Sequence, residues 1–180
     1  MNLSNSVFRE SQKKLDINPK TPEPKNYLED QNLLDSRLLN TMDKIKRIYP
    51  DVVFGGSIAL VAVGLLNRPV GDIDCFVDFG ENATVINKHI EPSSHLLSET
   101  VDDIDGYPVK RSGGVFNGVK ICLFQVHPRQ LEHIKYRIFD EEYNIQNVNW
   151  AIIAKKSYAN RTYKHNRDLK KIIDFINELD

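Results

Sequence analysis

The sequence predicts a mixed α/β (α+β) domain in which helices flank strands. Three observations carry this. A helical period runs from Tyr27 to Ile48, the strand-like runs DVVF and IDCFVDF enclose a second apolar helix, and YPVKRSGGVF and VKICLFQV are joined by Asn117-Gly118. An Asn-Gly pair between two such runs is the strongest short-range hairpin signal. At 180 residues, 41% hydrophobic and 27% charged, the chain suits one domain with a sizeable core.

The elements follow in order. Residues 1–26 are polar, and Pro19, Pro22 and Pro24 oppose a regular helix, so they read as a flexible arm before a domain spanning 27–180. Leu28, Leu34, Leu38, Leu39, Met42, Ile45 and Ile48 keep helical spacing, and Pro50 closes that helix. Asp51 to Phe54 is a short buried strand, Gly55 and Gly56 turn the chain, and Ser57 caps a helix to about Leu66. Asn67 to Gly71 is a turn, and IDCFVDF is apolar enough for a central strand. Residues 82–91 read as a short helix, followed by the hairpin from Tyr107. Everything from about Pro128 reads as helices, the last two over about Val148–Tyr158 and Asn166–Leu179, with Trp150, Ile152 and Ile153 filling the core.

Composition narrows the function classes. A net charge of −1 gives no overall attraction to nucleic acid, although Lys155 to Lys171 holds seven Lys or Arg against the single acid Asp168. No apolar run reaches the roughly 18 to 20 residues a membrane span needs. The start MNLSNSVFRESQKK lacks a secretory apolar core. Cys75 and Cys122 lie in apolar runs without metal-ligand spacing, which suits buried thiols in a reducing compartment. The expectation is a cytoplasmic protein with no membrane partner. His89, His95, His127, His133 and His165 show no zinc spacing.

One stretch carries chemistry: GGSIALVAVGLLNRPVGDIDCFV, from Gly55 to Val77. Residues at i and i+2 of a strand share a face, with Cα atoms about 6.5 to 7 Å apart. Asp72 and Asp74 therefore converge, and two such carboxylates raise each other's pKa unless a cation compensates them. Oxygen-only ligands suit Mg²⁺, completed by water and phosphate oxygens. The Gly55-Gly56-Ser57 turn allows close backbone approach to an anion, and the Ser57 hydroxyl can add a bond. Each feature alone has a plain structural explanation: the turn as helix punctuation, Asp-Ile-Asp as a solvated strand end. Their combination inside apolar segments points to phosphoryl transfer. Lys156 is the candidate phosphate contact in the basic segment, and Arg68 the candidate in the turn before the acids. The alternatives are a solvated helical face and a surface turn. Asp168 has possible partners in Lys164 at i−4 and Lys171 at i+3.

These residues resemble the signature of the nucleotidyltransferase superfamily that includes DNA polymerase beta, the CCA-adding enzymes and the aminoglycoside nucleotidyltransferases. The closest flavour is the abortive-infection nucleotidyltransferase toxin group, matched by Gly55, Gly56, Ser57, Leu60, Arg68, Asp72 and Asp74. A second match, Lys-x-x-Ala and then Arg-Asp, falls on Lys156, Ala159, Arg161, Arg167 and Asp168. The resemblance implies a small mixed β-sheet with helices packed on it, and two Mg²⁺ ions held by Asp72 and Asp74. Gly55, Gly56, Ser57, Arg68 and Lys156 would bind the nucleotide. It also implies transfer of a nucleoside monophosphate from a nucleoside triphosphate to an RNA, protein or small-molecule acceptor. Active members carry a third carboxylate on a later strand, for which VKICLFQV is the counterpart, and Cys122 or a close neighbour stands there. Asp102, Asp103 and Asp105 are other acids nearby. The rival expectation is a module of this family that binds nucleotide, RNA or a partner protein without turnover.

Overall fold

The computed structural model describes residues 33–80, 82–92, 100–104, 106–158 and 163–178. The arm at 1–26, the first turns of the expected helix at 27–32, Asp105, Ala159 and Arg161 lie outside them. Helix α1 (Ser36–Ile48) begins where the Asp35 carboxylate accepts the Leu38 N–H at 2.8 Å, so Leu33 and Leu34 precede the helix rather than belonging to it. Leu38, Met42 and Ile45 form its buried stripe.

Strand β1 (Val53–Gly55) leads through Gly56 into helix α2 (Ser57–Ala62), shorter than the expected run to Leu66. Strand β2 (Ile73–Asp78) and helix α3 (Asn82–Asn87) follow, then the two-residue β3 (Glu91–Pro92) and β4 (Thr100–Ile104). The hairpin of β5 (Tyr107–Phe116) and β6 (Val119–Val126) lies where the sequence places it, and Asn117 and Gly118 turn with φ of 54° and 73°. A 3₁₀ turn (Pro128–Leu131) follows. The next segment corrects the all-helical expectation after Pro128: β7 (His133–Ile138) and β8 (Glu141–Gln146) form a second antiparallel hairpin. Helices α4 (Val148–Tyr158) and α5 (Tyr163–Glu178) end the chain, α5 starting three residues before the expected Asn166.

Among the described residues, eight strands form one mixed sheet in the order β3-β5-β6-β2-β1-β8-β7, with β4 also on β5. β2 runs parallel to β6 and β1 parallel to β8, while β1 and β2 are antiparallel. Period-two alternation sorts the central strands between two faces. Ile73, Cys75 and Val77 of β2, with Ile121 and Leu123 of β6, enter the main core beneath α1 and α2. Phe76, Cys122, Phe124 and Val126 enter a smaller cluster covered by Ile153, Ala154 and Tyr158 of α4. Ile152 lies in the main core, whereas Trp150 is half-buried, edge-on to Tyr107 at 6.0 Å. Both cysteines are buried free thiols. Among the described residues no helix is long and apolar enough to cross a membrane.

Candidate functional site

On the smaller-cluster face a cavity of about 120 Å³ opens beside the C-terminal end of β1 and the start of β2. Gly56, Ser57, Asp72 and Asp74 line it, so two of the three expected turn residues and both expected acids meet there, while Gly55 is not among the lining residues. The turn has a steric cause. Gly56 holds φ 57° and ψ −125°, a region that favours glycine, and a Cβ there would overlap Asp74 Oδ2. A Cβ on Gly55 would overlap Gln146 Oε1 and the Phe76 ring. Gly55 thus lets β1 pack between two neighbours, and Gln146 Oε1 accepts the Gly56 N–H at 3.3 Å.

Three basic side chains face the acids: Arg111 of β5, Lys155 of α4 and Lys164 of α5. Lys164 Nζ is 4.0 Å from Asp72 Oδ1. Burial first, and then the Asp72 charge, push the Asp74 carboxyl up to about 7, against the pull of Lys155, Arg111 and Lys164. Protein cations therefore compensate part of the charge for which the sequence suggests a metal ion.

The nucleotide-binding expectations divide at this point. Lys155, not Lys156, lines the cavity; Lys156 is exposed on the next position of α4. Consecutive helical residues project about 100° apart, so only one of the two can face the site. Arg68 does not line the cavity either. Its guanidinium donates to Asp168 at 3.2 and 2.7 Å and to Ser57 Oγ at 3.0 Å, which commits it to holding α5 against the start of α2. Asp168 also accepts from Lys155 at 2.8 Å, in place of the intrahelical partners Lys164 and Lys171. Leu60 is a core residue and Arg167 is exposed.

This buried triad fixes the direction of Lys155. Burial raises the Asp168 pKa, but the bonds from Arg68 and Lys155 more than reverse this and hold it at about 2. Burial lowers the Lys155 pKa, and Asp168 offsets this only in part. The carboxylate gains from two cations, whereas Lys155 loses to burial and to the neighbouring Arg68 charge, so the two partners shift unequally. His165, with Nδ1 3.5 Å from Lys155 Nζ, is brought down to about 4 by burial and by the two nearby lysines. It is neutral at pH 7, and Nδ1 facing an ammonium assigns the proton to Nε2.

The position expected for a third carboxylate is also filled. Cys122 lies opposite Asp74 in the parallel register of β2 and β6, and its thiol is raised to about 11, by burial first and then by Asp74. Arg111 Nη2 approaches Cys122 Sγ at 3.6 Å. Asp102 and Asp103 pair in β4 with Val109 and Pro108. Asp72 and Asp74 suit a hard divalent cation whose remaining ligands come from phosphate and water. Among the described residues no group of three or more His, Cys, Asp or Glu is placed to hold an ion.

Sequence reasoning missed Arg111, Lys155, Lys164 and Gln146. No spacing marks Arg111 or Gln146, since sheet register alone brings them to the site. Lys155 had a signal in its helical spacing, since it falls on the same stripe as Val148, Ala151 and Ile152.

No family model matches the chain, and no curated protein does. One solved structure shares the architecture: a Thermotoga maritima protein provisionally described as a nucleotidyltransferase. Its TM-score is 0.50 at 13% identity, over 81% of this chain and 96% of that one. The fold is nucleotidyltransferase-like. At this identity the likeness concerns the fold alone.

Proposed function

We propose that the protein binds a Mg²⁺-complexed nucleoside triphosphate in this cavity and transfers its nucleoside monophosphate to an acceptor hydroxyl on RNA, protein or a small molecule. One observation carries the reading: two carboxylates two residues apart converge with three basic side chains behind a glycine turn. Asp72 and Asp74 would hold Mg²⁺, which when bound neutralises phosphate charge. Lys155, Lys164 and Arg111 bind phosphate oxygens, and Gly56 and Ser57 form the wall behind them. At about 120 Å³ the cavity falls below the 300 Å³ or so typical of whole-ligand sites, so it suits the phosphates while the nucleoside projects outward. An acceptor oxygen bonds to the α-phosphorus and its proton passes to water. The bond to the bridging oxygen breaks, its electron pair leaving with pyrophosphate.

The test supplies α-labelled ATP, GTP, CTP or UTP with Mg²⁺ and candidate acceptors, including tRNA, proteins and small hydroxylated compounds. Label transfer that Asp72→Asn abolishes is expected. Transfer unchanged in that variant would overturn the assignment.

A second reading, nucleotide binding without turnover, is favoured by the neutral Cys122 opposite Asp74. It predicts Mg²⁺-dependent stabilisation by nucleotide, about 2.7 kcal/mol at a hundredfold excess over Kd, with no labelled product.

A further inference from the structure

Neither the acid pair nor the glycine turn explains Arg111, which lines the cavity. It comes from β5, whose register sets Arg111 opposite Phe124 and Gly113 opposite Cys122. Its guanidinium lies 5.9 Å from the Phe124 ring centre, and that ring stacks on Phe76 at 4.8 Å and 11°. Its hydrogen-bond contact is with the Cys122 sulfur, a weak acceptor. The Arg111 Nε is buried and has no hydrogen-bond partner among the described residues. A buried donor left unpaired is costly and calls for an explanation. A guanidinium has a fork of donors matched to phosphate oxygens, and this one borders the cavity shared by Asp72, Asp74 and Lys155.

Cys122 and Arg111 also make sense as a pair. A carboxylate at 122 would lie beside Asp74 and within reach of the guanidinium, so the two would form an ion pair that occupies both. A thiol leaves the guanidinium available to an incoming anion. Arg111, Lys155 and Lys164 already set three cations against two carboxylates before any ion enters.

We propose that Arg111 acts as a fixed positive charge in place of a second metal ion, so that the site holds a triphosphate through one divalent cation and this guanidinium. The proposal rests on the triphosphate reading above and replaces the two Mg²⁺ ions that the family resemblance implies.

Inorganic tripolyphosphate tests it without any choice of base. With the full chain, tripolyphosphate and Mn²⁺, equilibrium dialysis should count one protein-bound ion. Electron paramagnetic resonance should show an isolated Mn²⁺ signal. Arg111→Gln should weaken tripolyphosphate binding about tenfold or more, with Arg111→Lys between it and the wild type. Two exchange-coupled ions in the wild type would overturn the proposal and leave the triphosphate reading standing, as would tripolyphosphate binding by folded Arg111→Gln within twofold of wild type. The ion count needs no variant, so a misfolded Arg111→Gln does not block the test. Failure of the wild type to bind either tripolyphosphate or a nucleoside triphosphate with Mn²⁺ would overturn both readings.

Discussion

The Asp74 carboxylate rests against the α-carbon of Gly56, in the space a side chain there would occupy. The register that pairs Gly55 with Asp74 across β1 and β2 creates this contact. The glycine turn and the second acid are thus one device: the missing side chain is what admits the carboxylate.

Gly56→Ala should therefore fail twice. The positive φ costs of order 1 to 3 kcal/mol, and the overlap with Asp74 adds to it. Urea unfolding should show a loss of at least about 2 kcal/mol. Stabilisation by Mg²⁺ with tripolyphosphate should vanish. A variant with wild-type stability would show that Asp74 does not hold this position.

Much of this was legible because it is local. The pairing of Asp72 with Asp74, the Gly-Gly-Ser turn and the Asn117-Gly118 hairpin are read from neighbours along the chain. The hairpin falls where expected, whereas Asp72 lies in the bend before β2, Gly55 ends β1, and Gly56 rather than Ser57 takes the N-cap position of α2, with no side-chain cap. The β7–β8 hairpin was hidden by its turn, since Phe139 and Asp140 carry no glycine signal and Phe139 takes φ 52°. Its alternation of Ile134, Tyr136 and Ile138 was present but diluted by charged neighbours. The cations of the site were least legible. Arg111 reaches Cys122 through strand register, and Arg68 reaches Asp168 across 100 residues of sequence; neither relation has a local signature.

Asp168 is a structural anion, and pH should reveal it. Its folded pKa of about 2 lies below the usual value near 4, so its stabilisation is fully present above about pH 4 and is lost as pH falls through 2. Asp168→Asn leaves Arg68 and Lys155 without their charge partner, a loss of about 3 to 5 kcal/mol at pH 7. The wild-type-minus-variant difference in urea unfolding should shrink between pH 4 and pH 2. A difference independent of pH would show that the carboxylate's charge is not what holds α5.

Asp74 should behave in the opposite sense. With a folded pKa near 7 it binds a proton that the unfolded chain releases at about 4, so its ionisation lowers stability as pH rises through that window. Without metal, Asp74→Asn should be more stable than wild type at pH 8, by on the order of 1 to 3 kcal/mol. It should also lose stabilisation by Mg²⁺ with tripolyphosphate. Equal or lower stability at pH 8 would mean that the local cations fully compensate the acid.

Lys155 and Lys156 give the sharpest contrast between motif and structure. Lys155 is buried against Asp168 inside the cavity, and Lys156 is exposed one position on. Lys155→Met removes a cation that burial already disfavours, and Arg68 still pairs with Asp168. Its stability cost should therefore stay near 1 to 3 kcal/mol, below that of Asp168→Asn. Tripolyphosphate affinity should fall about tenfold or more, because a desolvated cation directed at the anion is lost. Lys156→Ala should change stability by less than about 0.5 kcal/mol and affinity by less than about twofold, as exposed substitutions usually do. Thermal unfolding with and without tripolyphosphate measures both quantities in both variants. Were Lys156→Ala the one that loses binding, the phosphates would lie outside this cavity, on the exposed face of α4.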